Sequence, residues 1–362
     1  MVATSTTTET TSAEGWSSRS AFILAAIGAA VGLGNLWRFP TLAGESGGGA
    51  FVIFYIGCVF LLGLPLLLAE IFIGRAGQTD AIGSIRRVAE ESKVSKGWVS
   101  FGAIGALAAF LIVSFYSVVA GWVLYYAGVF AADFASAIAA GDPFRGALQG
   151  QSQDEIANRL TNLFASPSLL IAMHFAFMGG TLFIVARGVS GGIEKAATWL
   201  MPAFFVLLIG ITIYGAVVGD VSEAAAFLFT PDWSRLTPDV MNSALGQALF
   251  SLSLGVAGII TYGSYIREGT PLGSTAVTIA IADTAVALIA GLMIFPIVFA
   301  VGLDPAAGPT LVFQTLPFAF EAMPAGSLIG LLFFILVLVA AITSSISLLE
   351  VPTAYGIGEL GW

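Results

Sequence analysis

Residues 28–40 read GAAVGLGNLWRFP, and residues 44–51 follow with GESGGGAF. Three glycines within seven residues, Gly28, Gly32 and Gly34, interrupt a segment that is otherwise apolar. Each costs a helix about 1 kcal/mol relative to alanine. Asn35 and Arg38 then place an amide and a guanidinium inside the same run. In hydrocarbon an unsatisfied backbone group costs several kcal/mol, so a broken helix persists only where the break lines a protected cavity. The freed carbonyls are ligands for a hard cation, and the new helix N-terminus attracts an anion. A small-residue packing face accounts for Gly28 and Gly32, but it leaves Asn35 and Arg38 without a role.

The rest of the chain puts this segment in a membrane. Of 362 residues, 57% are hydrophobic and 10% are charged, against about 25% charged in a soluble domain. Eight stretches are long enough to cross a bilayer, at about 20–44, 49–75, 98–131, 166–186, 196–217, 241–265, 273–302 and 326–355. Residues 1–15, rich in Thr, Ser and Glu, read as a disordered tail, and 16–362 as one transmembrane domain. Lys and Arg orient it with the N-terminus inside. Inner segments then hold nine cations, among them Arg19, Arg75, Arg86, Arg87, Lys93 and Lys96, whereas outer segments hold Arg145, Arg159 and Arg235. The connections at 132–165, 218–240 and 303–325 are read as outer loops. A lone cysteine, Cys58, and a lone histidine, His174, both in apolar runs, read as packing residues and give no metal or disulfide framework.

The sixth span repeats the theme of the first. Its centre, SLSLGVAG at 251–258, brings two hydroxyls and two glycines to mid-membrane depth. Hydroxyls alone often bond back to their own helix. Interruptions in the first and sixth spans together imply two halves of five helices, each opening with a broken helix around a central site. Asp283 is the one acid within the seventh span. An uncompensated carboxylate at the bilayer centre costs about 2.5–3.5 kcal/mol, which marks it as functional.

These stretches resemble the neurotransmitter:sodium symporters. The resemblance runs from about Trp16 to the C-terminus through AAVGLGNLWRFP, GGGAF, RGVSGGIEK at 187–195, TPDWSRL at 230–236, SLSLGVAGIITYGSY at 251–265 and AAITSSISLLEV at 340–351. It implies an all-α inverted-repeat fold with discontinuous helices 1 and 6. Residues 16–217 would form the first repeat and 241–362 a partial second one. It also implies sodium-coupled symport by alternating access at the plasma membrane, with no enzymatic step and no nucleic-acid partner.

Position by position, the resemblance puts one sodium at Ala30, Asn35, Ser251 and Asp283. A second falls at Gly28, Val31, Ala340, Thr343 and Ser344. Substrate is expected against Ala30, Gly32, Ile112, Tyr116, Phe250, Ser251, Ser253, Val256, Ser344 and Leu348. Gly32 stands where amine-recognising members carry an aspartate, so a substrate bringing its own carboxylate, an amino acid, is implied. The apolar pocket floor favours a neutral, hydrophobic or aromatic side chain. Tyr55, Gln247 and Ser251 match the chloride neighbourhood of chloride-dependent members. A fixed carboxylate at Asp283 implies that chloride is not required. Arg38, Tyr116 and Phe250 match outer gate positions, and Trp16 and Tyr265 inner ones.

Two departures bear on gating. The basic residue expected just before Trp16 is missing from Ala13, Glu14 and Gly15, and Gly358 stands where an aspartate ends the eighth helix. The sequence stops at Trp362, where relatives continue through further helices, so a C-terminally truncated form is expected, with a degenerate relative as the other possibility. A membrane protein that binds or senses an amino acid without moving it is the competing function.

Overall fold

The computed structural model describes residues 15–361, and all regular structure among them is helical. The N-terminal tail expected from sequence lies outside these residues, apart from Gly15. The first span is two helices, α1 (Arg19–Ala30) and α2 (Gly34–Glu45), bent by 47° at Val31–Leu33. Next come α3 (Gly49–Gly77), α4 (Ala81–Glu91) and α5 (Lys96–Ala139). They are followed by α6 (Gln153–Phe164), α7 (Pro167–Val185), α8 (Val189–Val218) and α9 (Val221–Phe229). The sixth span is also split, into α10 (Pro238–Ser251) and α11 (Gly258–Ser264). The chain ends with α12 (Leu272–Ala300), α13 (Leu316–Glu321) and α14 (Gly326–Leu360).

Among the described residues, six helices are long and apolar enough to cross a membrane, and the bent α1–α2 pair makes a seventh. The remaining expected span, the sixth, is present as α10 and α11, each too short to cross alone. Large apolar side chains point outward along the spans, with Trp199 80%, Leu61 77% and Val217 77% exposed. Asn35, Gln247 and Asp283 are fully buried. That inversion suits a bundle whose solvent is lipid and whose polar groups surround an internal site.

The interior is held by aromatic and glycine contacts. Tyr126 and Phe130 of α5 stack on Phe334 of α14 at 5.0 and 5.3 Å. Gly74 of α3 lies so close to α11 that a Cβ there would strike the Ile260 carbonyl oxygen.

The three connections read as loops contain helices, which corrects the sequence reading. In 132–165, Ser152 and Glu155 form a reciprocal capping box that starts α6, and these hydrogen bonds hold the Glu155 carboxyl below its usual range. In 218–240, Asp220 caps α9 by accepting from Glu223 N at 2.9 Å. In 303–325, a π-helical turn over Leu311–Thr315 buries Leu311, Val312 and Phe313 and runs into α13. The third span also continues past 131 to Ala139.

Candidate functional site

The break after Ala30 frees carbonyl oxygens, and neighbouring helices send hydroxyls and an amide to them. Val31 takes extended backbone angles, φ −76° and ψ 111°. Ser344 Oγ on α14 donates to Val31 O at 3.1 Å and lies 3.4 Å from Gly28 O. Ser253 Oγ donates to Ala29 O at 3.0 Å, so the second break bonds directly to the last turn of α1. Gln247 Nε2 donates to Gly34 O at 2.9 Å.

The second break, 252–257, is more contorted. Ser253, Gly255 and Ala257 have φ of 54°, 80° and 61°. For the two non-glycines this left-handed conformation costs about 1–2 kcal/mol each, strain of the kind that collects at functional sites. Glu70 of α3, itself buried, accepts from Gly255 N at 2.8 Å and so supplies a partner for backbone that left the helix.

Asn35, Ser251 and Asp283 form one buried cluster joining the first, sixth and seventh spans. Asn35 Nδ2 donates to Asp283 Oδ1 at 2.8 Å and lies 3.0 Å from Ser251 Oγ. Ser251 Oγ donates to Asp283 Oδ2 at 2.7 Å, and Asn35 Oδ1 accepts from Gly32 N at 3.1 Å. These are three of the four residues of the first expected sodium set; the fourth, Ala30, lines the adjacent cavity. The second set converges where α1 ends against α14. Ser344 reaches Gly28 and Val31, while Thr343 Oγ1 turns to its own helix at Ala340 O, 3.1 Å away. A Cβ on Gly28 would lie 3.1 Å from Thr343 Cβ. Among the described residues no group of three His, Cys, Asp or Glu could hold a metal. Both sets are therefore carbonyl and hydroxyl oxygens with a single carboxylate, a donor set suited to a hard monovalent ion.

Beside these oxygens lies a cavity. It is lined by nine of the ten residues expected at the substrate: Ala30, Gly32, Ile112, Tyr116, Phe250, Ser253, Val256, Ser344 and Leu348. Ser251 does not line it, because its hydroxyl is turned to Asp283. Tyr116 OH accepts from Leu33 N at 3.3 Å. A Cβ on Gly32 would collide with Ser344 Oγ and lie 2.9 Å from Tyr116 OH, so only glycine leaves the unwound backbone open to the cavity.

Tyr116 and Phe250 line both this cavity and a neighbouring vestibule whose walls include Trp37, Arg38 and Glu45. The Arg38 guanidinium lies 5.2 Å above the Phe250 ring and donates to Gln247 Oε1 at 2.7 Å. Trp16 and Tyr265, the expected inner gate positions, pack together with Tyr262. Trp16, 2% exposed, donates from Nε1 to Tyr262 O at 3.0 Å and from its backbone N to Tyr265 O at 3.2 Å. Tyr265 OH donates to Glu350 Oε1 at 2.7 Å. Ser17 bonds Glu194 through both its backbone N and its hydroxyl. A Cβ on Gly358 would stand 3.3 Å from Asp80 Oδ2, so an aspartate at 358 would face another carboxylate.

Sequence reading missed Leu33 and Leu254, which also line the cavity, and the Ser17–Glu194 contact. Gln247 was read only as part of an anion neighbourhood, yet it bridges Arg38 to the carbonyl of the broken helix. A polar amide in an apolar span was the available signal. Tyr55 lies beside Asp283, Ser251 and Thr284.

The sequence profile of the sodium:neurotransmitter symporter family matches residues 13–137 and 160–356. YhdH of Bacillus subtilis (strain 168), described as an uncharacterized sodium-dependent transporter, is 39% identical over 94% of this chain and 71% of its own length. An uncharacterized sodium-dependent transporter of Methanocaldococcus jannaschii, MJ1319, is 31% identical over 93% of this chain and 68% of its own. The crystal structure of MhsT in complex with L-phenylalanine superposes with a TM-score of 0.85 at 45% identity, covering 96% of this chain and 76% of that one. The inverted-repeat fold and its two discontinuous helices are thus shared with a solved relative, and the chain is a multi-pass membrane protein belonging to the sodium:neurotransmitter symporter family.

Proposed function

We propose that this chain moves a neutral, hydrophobic or aromatic amino acid across the plasma membrane together with sodium ions, by alternating access and with its N-terminus in the cytoplasm. The observation that carries this reading is the apolar cavity opening onto unwound backbone at Gly32 and bounded by Tyr116. A zwitterion can lay its carboxylate on the Tyr116 hydroxyl near the start of α2, where the helix dipole is positive. Ile112, Val256 and Leu348 then surround the side chain. MhsT, of the same fold, was solved with L-phenylalanine, which fits that lining.

Two sodium ions enter as co-substrates. One is assigned to Ala30, Asn35, Ser251 and Asp283, and the other to Gly28, Val31, Ala340, Thr343 and Ser344. The Asp283 carboxylate beside Tyr55 and Ser251 supplies the negative charge that chloride would otherwise bring, so transport is chloride-independent. Sodium favours the outward-open state only by binding it more tightly than the inward-open one. Phe250 and Arg38 close over the substrate from outside, and release of Trp16 from Tyr262 and Tyr265 opens the other side.

The test is uptake of radiolabelled phenylalanine and leucine into proteoliposomes containing the full chain, with and without an inward sodium gradient. Sodium-driven accumulation above the outside concentration supports symport. Sodium-dependent binding without uptake would instead establish the binding or sensing function.

A further inference from the structure

The edge where α4 meets the start of α5 takes no part in the site above. Ile82, Ile85 and Ala89 of α4 are buried against the bundle, and Arg87, Glu90 and Glu91 face outward. Between Arg75 and Phe101 the sequence holds five cations and three acids, in a chain of net charge −9. Two of those cations are paired, Arg86 with Glu359 at 2.7 Å and Lys96 with Glu90 at 2.9 Å. A third, Arg75, donates to the Thr270 carbonyl oxygen at 3.0 Å, and among the described residues the remaining two, Arg87 and Lys93, are exposed and in no ion pair.

Trp98 and Phe101, 61% and 51% exposed, line two furrows in common. One furrow is walled by Ile73, Ile85, Val88 and Val94. The other has Ser95 and Ser100 at its polar end and Ile104 at its apolar end. Arg87 adjoins Val88, and Lys93 lies between Ser92 and Val94, both in the wall of the first furrow. The position is that of a membrane interface, since α3 ends and α5 begins here and tryptophan favours headgroup depth.

Two furrows share an aromatic wall, one apolar and one running from serines to Ile104, with two exposed cations outside any ion pair next to the first in sequence. Together they match a lipid with two acyl chains and a net negative headgroup. A zwitterionic lipid brings the same chains, but its phosphate is already countered. We propose that the α4–α5 edge binds one anionic diacyl phospholipid, its headgroup on Arg87 and Lys93 and its acyl chains astride Trp98. Such a lipid would hold α4, and through the Arg86–Glu359 pair the end of α14, against the bilayer.

The test is tryptophan quenching by brominated lipids, with the full chain in nanodiscs containing brominated phosphatidylglycerol or brominated phosphatidylcholine. The Trp98 signal is isolated as the difference between the parent and Trp98→Phe. We expect phosphatidylglycerol to quench it at several-fold lower mole fraction, since each cation near a membrane surface contributes about fivefold. The double variant Arg87→Gln/Lys93→Gln should abolish that preference, and native mass spectrometry should show it losing a retained phosphatidylglycerol adduct. Equal quenching of the parent by both lipids, or a preference that survives the double variant, overturns the proposal. So does protection of Trp98 from both lipids with a dimeric mass, which would mean that a second copy covers the furrows.

Discussion

Asn35 Nδ2 lies 2.8 Å from Asp283 Oδ1 and 3.2 Å from the Asp283 carbonyl oxygen, so one side chain ties the break in the first span to both the side chain and the backbone of the seventh. Both residues are fully buried. An amide and a hydroxyl partner both oxygens of this buried carboxyl, which offsets part of the cost of holding a charge there.

Asp283→Asn removes that charge and keeps the shape. The sodium concentration giving half-maximal amino-acid binding should rise about tenfold or more, from the loss of charge-assisted interactions of about 1.5–3 kcal/mol. Chloride should restore part of it. Titrations in sodium chloride and sodium gluconate check this; an unchanged sodium dependence would remove Asp283 from the ion site.

Gly32→Asp fills the space between Tyr116 and Ser344, where even a Cβ collides. Overpacking of this kind costs about 1–3 kcal/mol, and the new carboxylate repels that of the substrate. Amino-acid binding should fall below detection while the protein still elutes as a folded species. Retained affinity would reject the cavity as the substrate site.

Glu70 acts on the strained 252–257 segment without lining the cavity. Glu70→Ala leaves Gly255 N unsatisfied and should destabilise the protein by about 1–3 kcal/mol. Glu70→Gln keeps an acceptor and should lose less. Thermal unfolding in detergent of the three proteins gives the order parent, Gln, Ala; an equal loss for both variants would mean that the charge, and not the hydrogen bond, matters.

Gly74→Ala probes the packing of α3 on the inner half of the broken sixth span. Its Cβ would meet Ile260 O and lie 2.9 Å from Ser264 N, and backbone cannot yield as a side-chain end can. A loss of about 1–3 kcal/mol in stability is expected, with weaker substrate binding because α11 carries the far edge of the break. Unchanged unfolding and binding would show that the two helices separate freely.

The broken spans were legible because glycine and buried polar residues have few explanations inside a membrane. The cavity lining followed from the family resemblance, and nine of ten positions meet around one space. Ser251 departs from it because hydroxyl direction is set by a residue 32 positions away. The helices of the connecting segments were missed for another reason: polar composition hid their caps. Ser152 with Glu155, and Asp220 with Glu223, are local signals that hydropathy averages away. Burial of Phe313 by Trp37, Trp122 and Tyr126 is tertiary and has no local signature.

Equilibrium binding of tritiated phenylalanine to the purified chain, in sodium against equal potassium or choline, tests the central claim most directly. If unwound backbone at the first and sixth spans holds sodium beside the amino acid, saturable binding appears in sodium and is absent in the other two. Binding of equal strength in potassium would contradict it.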